Sequence, residues 1–169
     1  MSDLIVVWIV EDMKHDAREA WEIIDEITSE HQEEHGLNVE ILWTDSFLWP
    51  PFANFRTTAD PRVEQVHRDD FPDIVVLDLL KRTANAEVLQ GDGFYYGLRK
   101  WEVSKRHRPS FVVIWSPYQG EKAAGLFLKG AAETDQRLIL TPLPTKQAPL
   151  LKSVFRELWK LVVEEREAV

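Results

Sequence analysis

Five short apolar runs constrain this chain more than any other feature of its sequence. They are Leu4–Val10, Val39–Trp43, Ile74–Leu79, Phe111–Trp115 and Leu138–Leu140. All are rich in Val, Ile, Leu and Trp and mostly continuous rather than alternating, as strands covered on both faces are. Helical patterns lie between them. Asp16 with Glu19 forms a D-x-x-E capping box, and Ala17, Ala20, Trp21, Ile24 and Ile27 recur at helical spacing until Gly36 stops the helix. Gly93 to about Lys105 carries Phe94, Leu98 and Trp101 on one side, and Glu121 to about Ala132 carries Ala124, Leu126, Phe127 and Leu128. The last helix presents Leu151, Val154, Phe155, Leu158, Leu161 and Val162 to a core, with Pro149 tolerable because it sits in the first turn.

Strand and helix alternating five times imply a parallel sheet with right-handed crossovers and helices on both faces. Five strands favour an α/β, doubly wound, flavodoxin-like (βα)5 arrangement in the order 2-1-3-4-5. Its switch point lies between the first and third strands, so ligand chemistry belongs at their carboxyl ends. A length of 169 residues suits one domain spanning 1–169. One irregular stretch, about 47–60, is inserted into it and contains Trp49-Pro50-Pro51-Phe52 and Phe55. It reads as a surface loop tucked onto the body by its aromatics, or as a partner-binding loop.

Composition narrows the function classes. The absence of cysteine excludes a disulfide scaffold, a zinc ribbon and thiol chemistry. A formal charge of -9, from 29 acidic and 20 basic residues, argues against a nucleic-acid surface, because phosphate contacts need clustered Lys and Arg. No run approaches the length of a membrane span. Met1-Ser2-Asp3-Leu4 has no basic region of the signal-peptide kind, so a cytoplasmic setting is expected.

The chemistry concentrates at two strand ends. Val10-Glu11-Asp12 closes the first run and Val76-Leu77-Asp78 falls within the third, so the topology brings three carboxylates to one place. Acids there can cap the following helices. Three of them together at a switch point repel one another and call for compensation, which a hard divalent cation supplies. Mg²⁺ takes oxygen ligands and typically uses one or two carboxylates with phosphate oxygens. The pattern points to Mg²⁺-assisted phosphoryl transfer with a carboxylate nucleophile.

Ile5-Val6-Val7-Trp8-Ile9-Val10-Glu11-Asp12, Asp73-Ile74-Val75-Val76-Leu77-Asp78-Leu79 and Gly91-Asp92-Gly93-Phe94 resemble the receiver domains of two-component response regulators. The likeness extends to Phe111-Val112-Val113-Ile114-Trp115-Ser116 and Leu138-Ile139-Leu140-Thr141-Pro142-Leu143, and so covers nearly the whole chain in order. It implies that Glu11 and Asp12 bind Mg²⁺ and that Asp78 binds metal and accepts a phosphoryl group. It further implies that the carbonyl of Leu80 is a metal ligand and that the Ser116 hydroxyl turns toward the aspartyl phosphate. Three positions depart from the family. Thr141 stands before Pro142 where the family carries a Lys that neutralises phosphoryl oxygens, and a hydroxyl brings no charge. Pro117 follows Ser116 where a backbone N–H usually meets the phosphate. Leu138 occupies the aromatic switch position. Lys81 or Arg82 in the long Asp78–Gly93 connection, or Lys14, Lys122 or Lys146, are the candidates to restore the cation.

Other signals point elsewhere. His31-Gln32-Glu33-Glu34-His35 matches the H-x-x-E-H zinc pattern but lies at a charged helix end before Gly36 and reads as solvated. Gly91-Asp92-Gly93 lacks dinucleotide-binding spacing, and acids after the first strand would repel a flavin phosphate. The basic cluster Lys105-Arg106-His107-Arg108 complements a helix end. Of seven tryptophans, Trp49 and Trp159 are expected to be the most exposed.

Two functional readings follow. In the first, the chain is a stand-alone receiver taking a phosphoryl group on Asp78 from a histidine kinase or phosphotransfer protein, and acting on a separate downstream protein. In the second, it is a phosphorylation-independent pseudo-receiver recognising partners through the 47–60 loop and the last helix. The resemblance also implies homodimerisation through the face of the fourth and fifth helices. Neither reading involves nucleic acid or a membrane.

Overall fold

The computed structural model describes residues 4–82, 87–117, 122–141 and 146–168, with the side chains of His31, Glu33, Arg82, Glu87 and Lys122 outside the described set. The five apolar runs form one parallel sheet. Its strands are β1 (Leu4–Val10), β2 (Asn38–Thr44), β3 (Ile74–Leu77), β6 (Phe111–Ile114) and β7 (Leu138–Leu140), in the order β2-β1-β3-β6-β7. That order is consistent with a flavodoxin-like fold. A short antiparallel pair, β4 (Leu80–Arg82) and β5 (Glu87–Leu89), follows β3 directly.

Continuity of the apolar runs reflects burial on both faces. Ile5, Val7 and Ile9 point into a core shared with helices α1 (Lys14–His35) and α4 (Ala148–Glu167). Val6, Trp8 and Val10 point the other way, into a core shared with α2 (Gly91–Ser104) and α3 (Lys122–Thr134). All six are at most 3% exposed, so the alternating faces of one strand anchor both layers.

The expectation of five helices is corrected to four among the described residues. No helix joins β2 to β3. Residues 45–73 run instead as an irregular segment that covers the sheet face where a helix was expected, and it extends well beyond 47–60. Aromatic packing replaces helical packing there. Phe55 meets Trp8 at a ring-centroid distance of 4.8 Å, Trp49 meets Phe94 at 5.3 Å and Phe52 meets Trp101 at 5.0 Å. Phe71 stacks between Trp101 and His107, 3.9 Å from each. The segment also shields the edge of β2, since Trp43 and Arg56 exchange backbone hydrogen bonds at 2.9 and 2.7 Å.

Three local expectations change with the structure. α1 begins at Lys14, so Asp16 lies in its first turn rather than capping it. Trp159 is buried, stacked on Phe155 with rings 13° apart, because α4 presents a wide apolar stripe to the α1 side of the sheet. Trp49 is partly buried against α2. No helix among the described residues is long and apolar enough to cross a membrane.

The Trp49–α2 contact requires Gly97. A Cβ there would lie 2.3 Å from the Trp49 ring. Gly97→Ala is expected to destabilise the protein by about 1–3 kcal/mol through overpacking. Gly93→Ala, in the same helix with open space around it, should stabilise by about 0.5–1 kcal/mol. Urea unfolding of the two variants checks both signs.

Candidate functional site

Register alone brings the acids together. Val10 pairs with Leu77 in the β1–β3 ladder, so Glu11 and Asp78 are the next residues on neighbouring parallel strands. The Asp78 N–H donates to the Val10 carbonyl at 3.0 Å, and the Glu11 N–H to that of Thr44 at 3.1 Å. The two-residue period of a strand then decides direction. Ile9, Val76 and Val113 face the α1/α4 core, and Glu11, Asp78 and Trp115 follow them at the same parity.

Carboxylate oxygens of Glu11, Asp12 and Asp78 all lie within 4.8 Å of one another. Glu11 and Asp78 are only 2% and 3% exposed, and buried charges of this kind need partners. Asp78 Oδ1 accepts hydrogen bonds from the Ser116 hydroxyl at 2.6 Å and the Leu80 N–H at 3.2 Å. Glu11 Oε1 accepts the Met13 N–H at 3.0 Å, just ahead of α1. The Trp43 indole N–H donates to the Glu11 carbonyl at 2.8 Å and fixes the backbone turn out of β1.

The remaining oxygens are taken by one cation. Lys146 Nζ donates to Glu11 Oε2, reaches Asp78 Oδ2 at 3.1 Å and pairs with Asp16 at 3.1 Å. Its ammonium lies over the Trp115 ring, 5.1 Å from the centroid, while the Trp115 indole N–H donates to the Gln147 carbonyl at 3.2 Å.

No family model matches the chain, and neither does any curated protein. The site therefore rests on its own geometry.

Of the five cation candidates, the side chains of Arg82 and Lys122 lie outside the described residues, and among the other three Lys146 is the one that reaches the carboxylates. It lies two residues before Ala148, where α4 begins, and α4 covers the sheet face toward which Glu11 and Asp78 project. Lys81 lies on the β4–β5 hairpin leading to α2 on the other face. The Lys14 side chain is exposed. Thr141 is buried just after β7, its N–H donates to the Ile114 carbonyl, and its hydroxyl has no hydrogen-bond partner among the described residues. Leu80 meets the cluster through its N–H, and Ser116 does so through its hydroxyl. His35 is engaged by Glu167 of α4 at 2.5 Å, joining the C-terminal ends of α1 and α4.

Sequence reasoning missed two positioning residues. Gly91 lets the backbone pass so close to Asp78 that a Cβ would lie 2.5 Å from the Asp78 carbonyl oxygen. Its place in Gly91-Asp92-Gly93 was visible, but its partner was not. Trp115 read only as a core residue.

The donor set suits a hard divalent cation, being three carboxylates with no sulfur or imidazole among them. Without one, burial pushes the Glu11 carboxyl up from 4.5 to about 9, and the Asp78 charge adds to this against the pull of Lys146. Burial alone would lower the Lys146 value, but Glu11 and Asp78 together hold it above the ordinary lysine range. Both directions favour an ammonium on Lys146 and a protonated Glu11 carboxyl at neutral pH. Folded Glu11 binds a proton that the unfolded chain releases between about pH 4.5 and 9. Its contribution to stability is complete below 4.5 and disappears as pH rises through 9. Glu11→Gln should remove that slope, so its stability relative to wild type rises from pH 5 to 9 in urea unfolding without metal.

Proposed function

We propose that the chain is a flavodoxin-like receiver domain that accepts a phosphoryl group on Asp78 with Mg²⁺ held by Glu11, Asp12 and Asp78. The observation that carries this reading is the convergence of those three carboxylates at the switch point, with the Ser116 hydroxyl on Asp78 Oδ1. The donor is a phosphohistidine of a histidine kinase or phosphotransfer protein, in a cytoplasmic setting, and the downstream target is a separate protein.

An Asp78 carboxylate oxygen attacks the phosphorus in line. The P–N bond breaks, its electron pair returns to the imidazole, and an aspartyl phosphate remains. Bound Mg²⁺ supplies charge neutralisation to the phosphoryl oxygens. Ser116 already donates to Asp78 and is placed to follow the new oxygens. Lys146 brings the positive charge that Thr141 cannot. The carbonyl of Leu80, two residues past Asp78, is a further oxygen that would serve the metal.

A second reading, a pseudo-receiver acting by binding alone, is favoured by Pro117, which has no N–H for a phosphate, and by Leu138 at the switch position. Intact mass after incubation with acetyl phosphate and Mg²⁺, and separately with a phosphohistidine donor, distinguishes the two. A single phosphoryl adduct on wild type that is lost in Asp78→Asn supports the receiver reading. No adduct from either donor supports binding alone.

A further inference from the structure

The backbone and Ser116 donors leave one oxygen open on each buried acid, Glu11 Oε2 and Asp78 Oδ2. Lys146 Nζ takes both. These are the oxygens that a divalent cation would need, and an ammonium beside such a cation would be strongly repelled. We propose that Lys146, seated by Trp115, is a resident cation that a divalent metal ion must displace in order to bind here. The inference deepens the metal-dependent reading above and rests on it.

Three contacts prepare the lysine for this role. The Trp115 ring face attracts the ammonium. The indole N–H holds the Gln147 carbonyl, so the backbone beside Lys146 is fixed before any ligand arrives. Asp16, already 3.1 Å from Nζ, offers a partner that is retained when Glu11 and Asp78 turn to the metal. Trp115 is accordingly a positioning residue acting through Lys146. The fold loses little when the ammonium moves, because another cation takes its place against the same carboxylates.

Mg²⁺ affinity measured by calorimetry on the full chain, at fixed pH and ionic strength, tests this. Lys146→Met should bind Mg²⁺ at least tenfold more tightly than wild type, while Lys146→Arg stays within threefold. Trp115→Phe should fall between wild type and Lys146→Met. Lys14→Met, which removes an exposed charge of the same sign, should change affinity less than threefold. Equal or weaker binding by Lys146→Met, or a gain matched by Lys14→Met, overturns the proposal. Absence of Mg²⁺ binding in every form overturns both it and the metal-dependent reading. Tighter binding by Lys146→Met without phosphoryl uptake by wild type overturns the phosphoryl reading alone. A measurement independent of how the variants fold is the Trp115 indole N–H resonance of wild type. Saturating Mg²⁺ should shift it, and an unmoved resonance overturns the proposal.

Discussion

Two carboxylates buried side by side, Glu11 and Asp78, share one ammonium, and the upper end of the molecule is organised around that triplet. Burying an unpaired charge costs several kcal/mol, and removing one member of such a pair leaves that cost exposed. The surrounding contacts make the arrangement tenable. The parallel register sets the acids on adjacent strands, Trp43 holds the Glu11 backbone, Ser116 and Leu80 satisfy Asp78 Oδ1, and Trp115 seats the lysine. Burial and the neighbouring Asp78 charge raise the Glu11 carboxyl even against the pull of Lys146, so one ammonium does not fully balance the acids. A site that keeps both a proton and a lysine against its carboxylates has charge to exchange for a stronger cation.

The charged cluster and the irregular packing segment occupy different faces of the sheet. The segment 45–73 does the structural work of a helix by inserting aromatic rings onto Trp8 and against α2, and it seals the β2 edge with the Trp43–Arg56 exchange. The acids lie on the opposite side of the sheet, toward α1 and α4. Loss of a helix on one face therefore leaves the charged cluster on the other intact. Exposed Leu48, two residues after Ser46 at the mouth of this segment, is consistent with a loop whose interior is spent on packing.

Much of this was legible in the residues. The strands were readable because doubly covered strands are continuously apolar, and Glu11, Asp12 and Asp78 were readable because they end such runs. The helix count was not, since strand–helix alternation suggested a fifth helix where Pro50, Pro51 and five aromatics build a different cover. The start of α1 shifted because the Glu11 side chain, from outside the D-x-x-E pattern, meets Met13. Lys146 stood among five basic candidates, and nothing local distinguished it. Its selection depends on which sheet face α4 covers and on the Trp115–Gln147 contact, both products of tertiary packing. Trp159 misled because a helix stripe wide enough to hold Leu158, Trp159, Val162 and Val163 buries residues that a narrow stripe would expose.

A crystal structure grown with Mn²⁺ in place of Mg²⁺ examines the exchange of cations most directly. The account predicts an anomalous peak within coordination distance of Glu11, Asp12 and Asp78, with Lys146 Nζ withdrawn from Glu11 and Asp78. Lys146 still bridging those two acids at saturating Mn²⁺, with no anomalous peak between them, would contradict it.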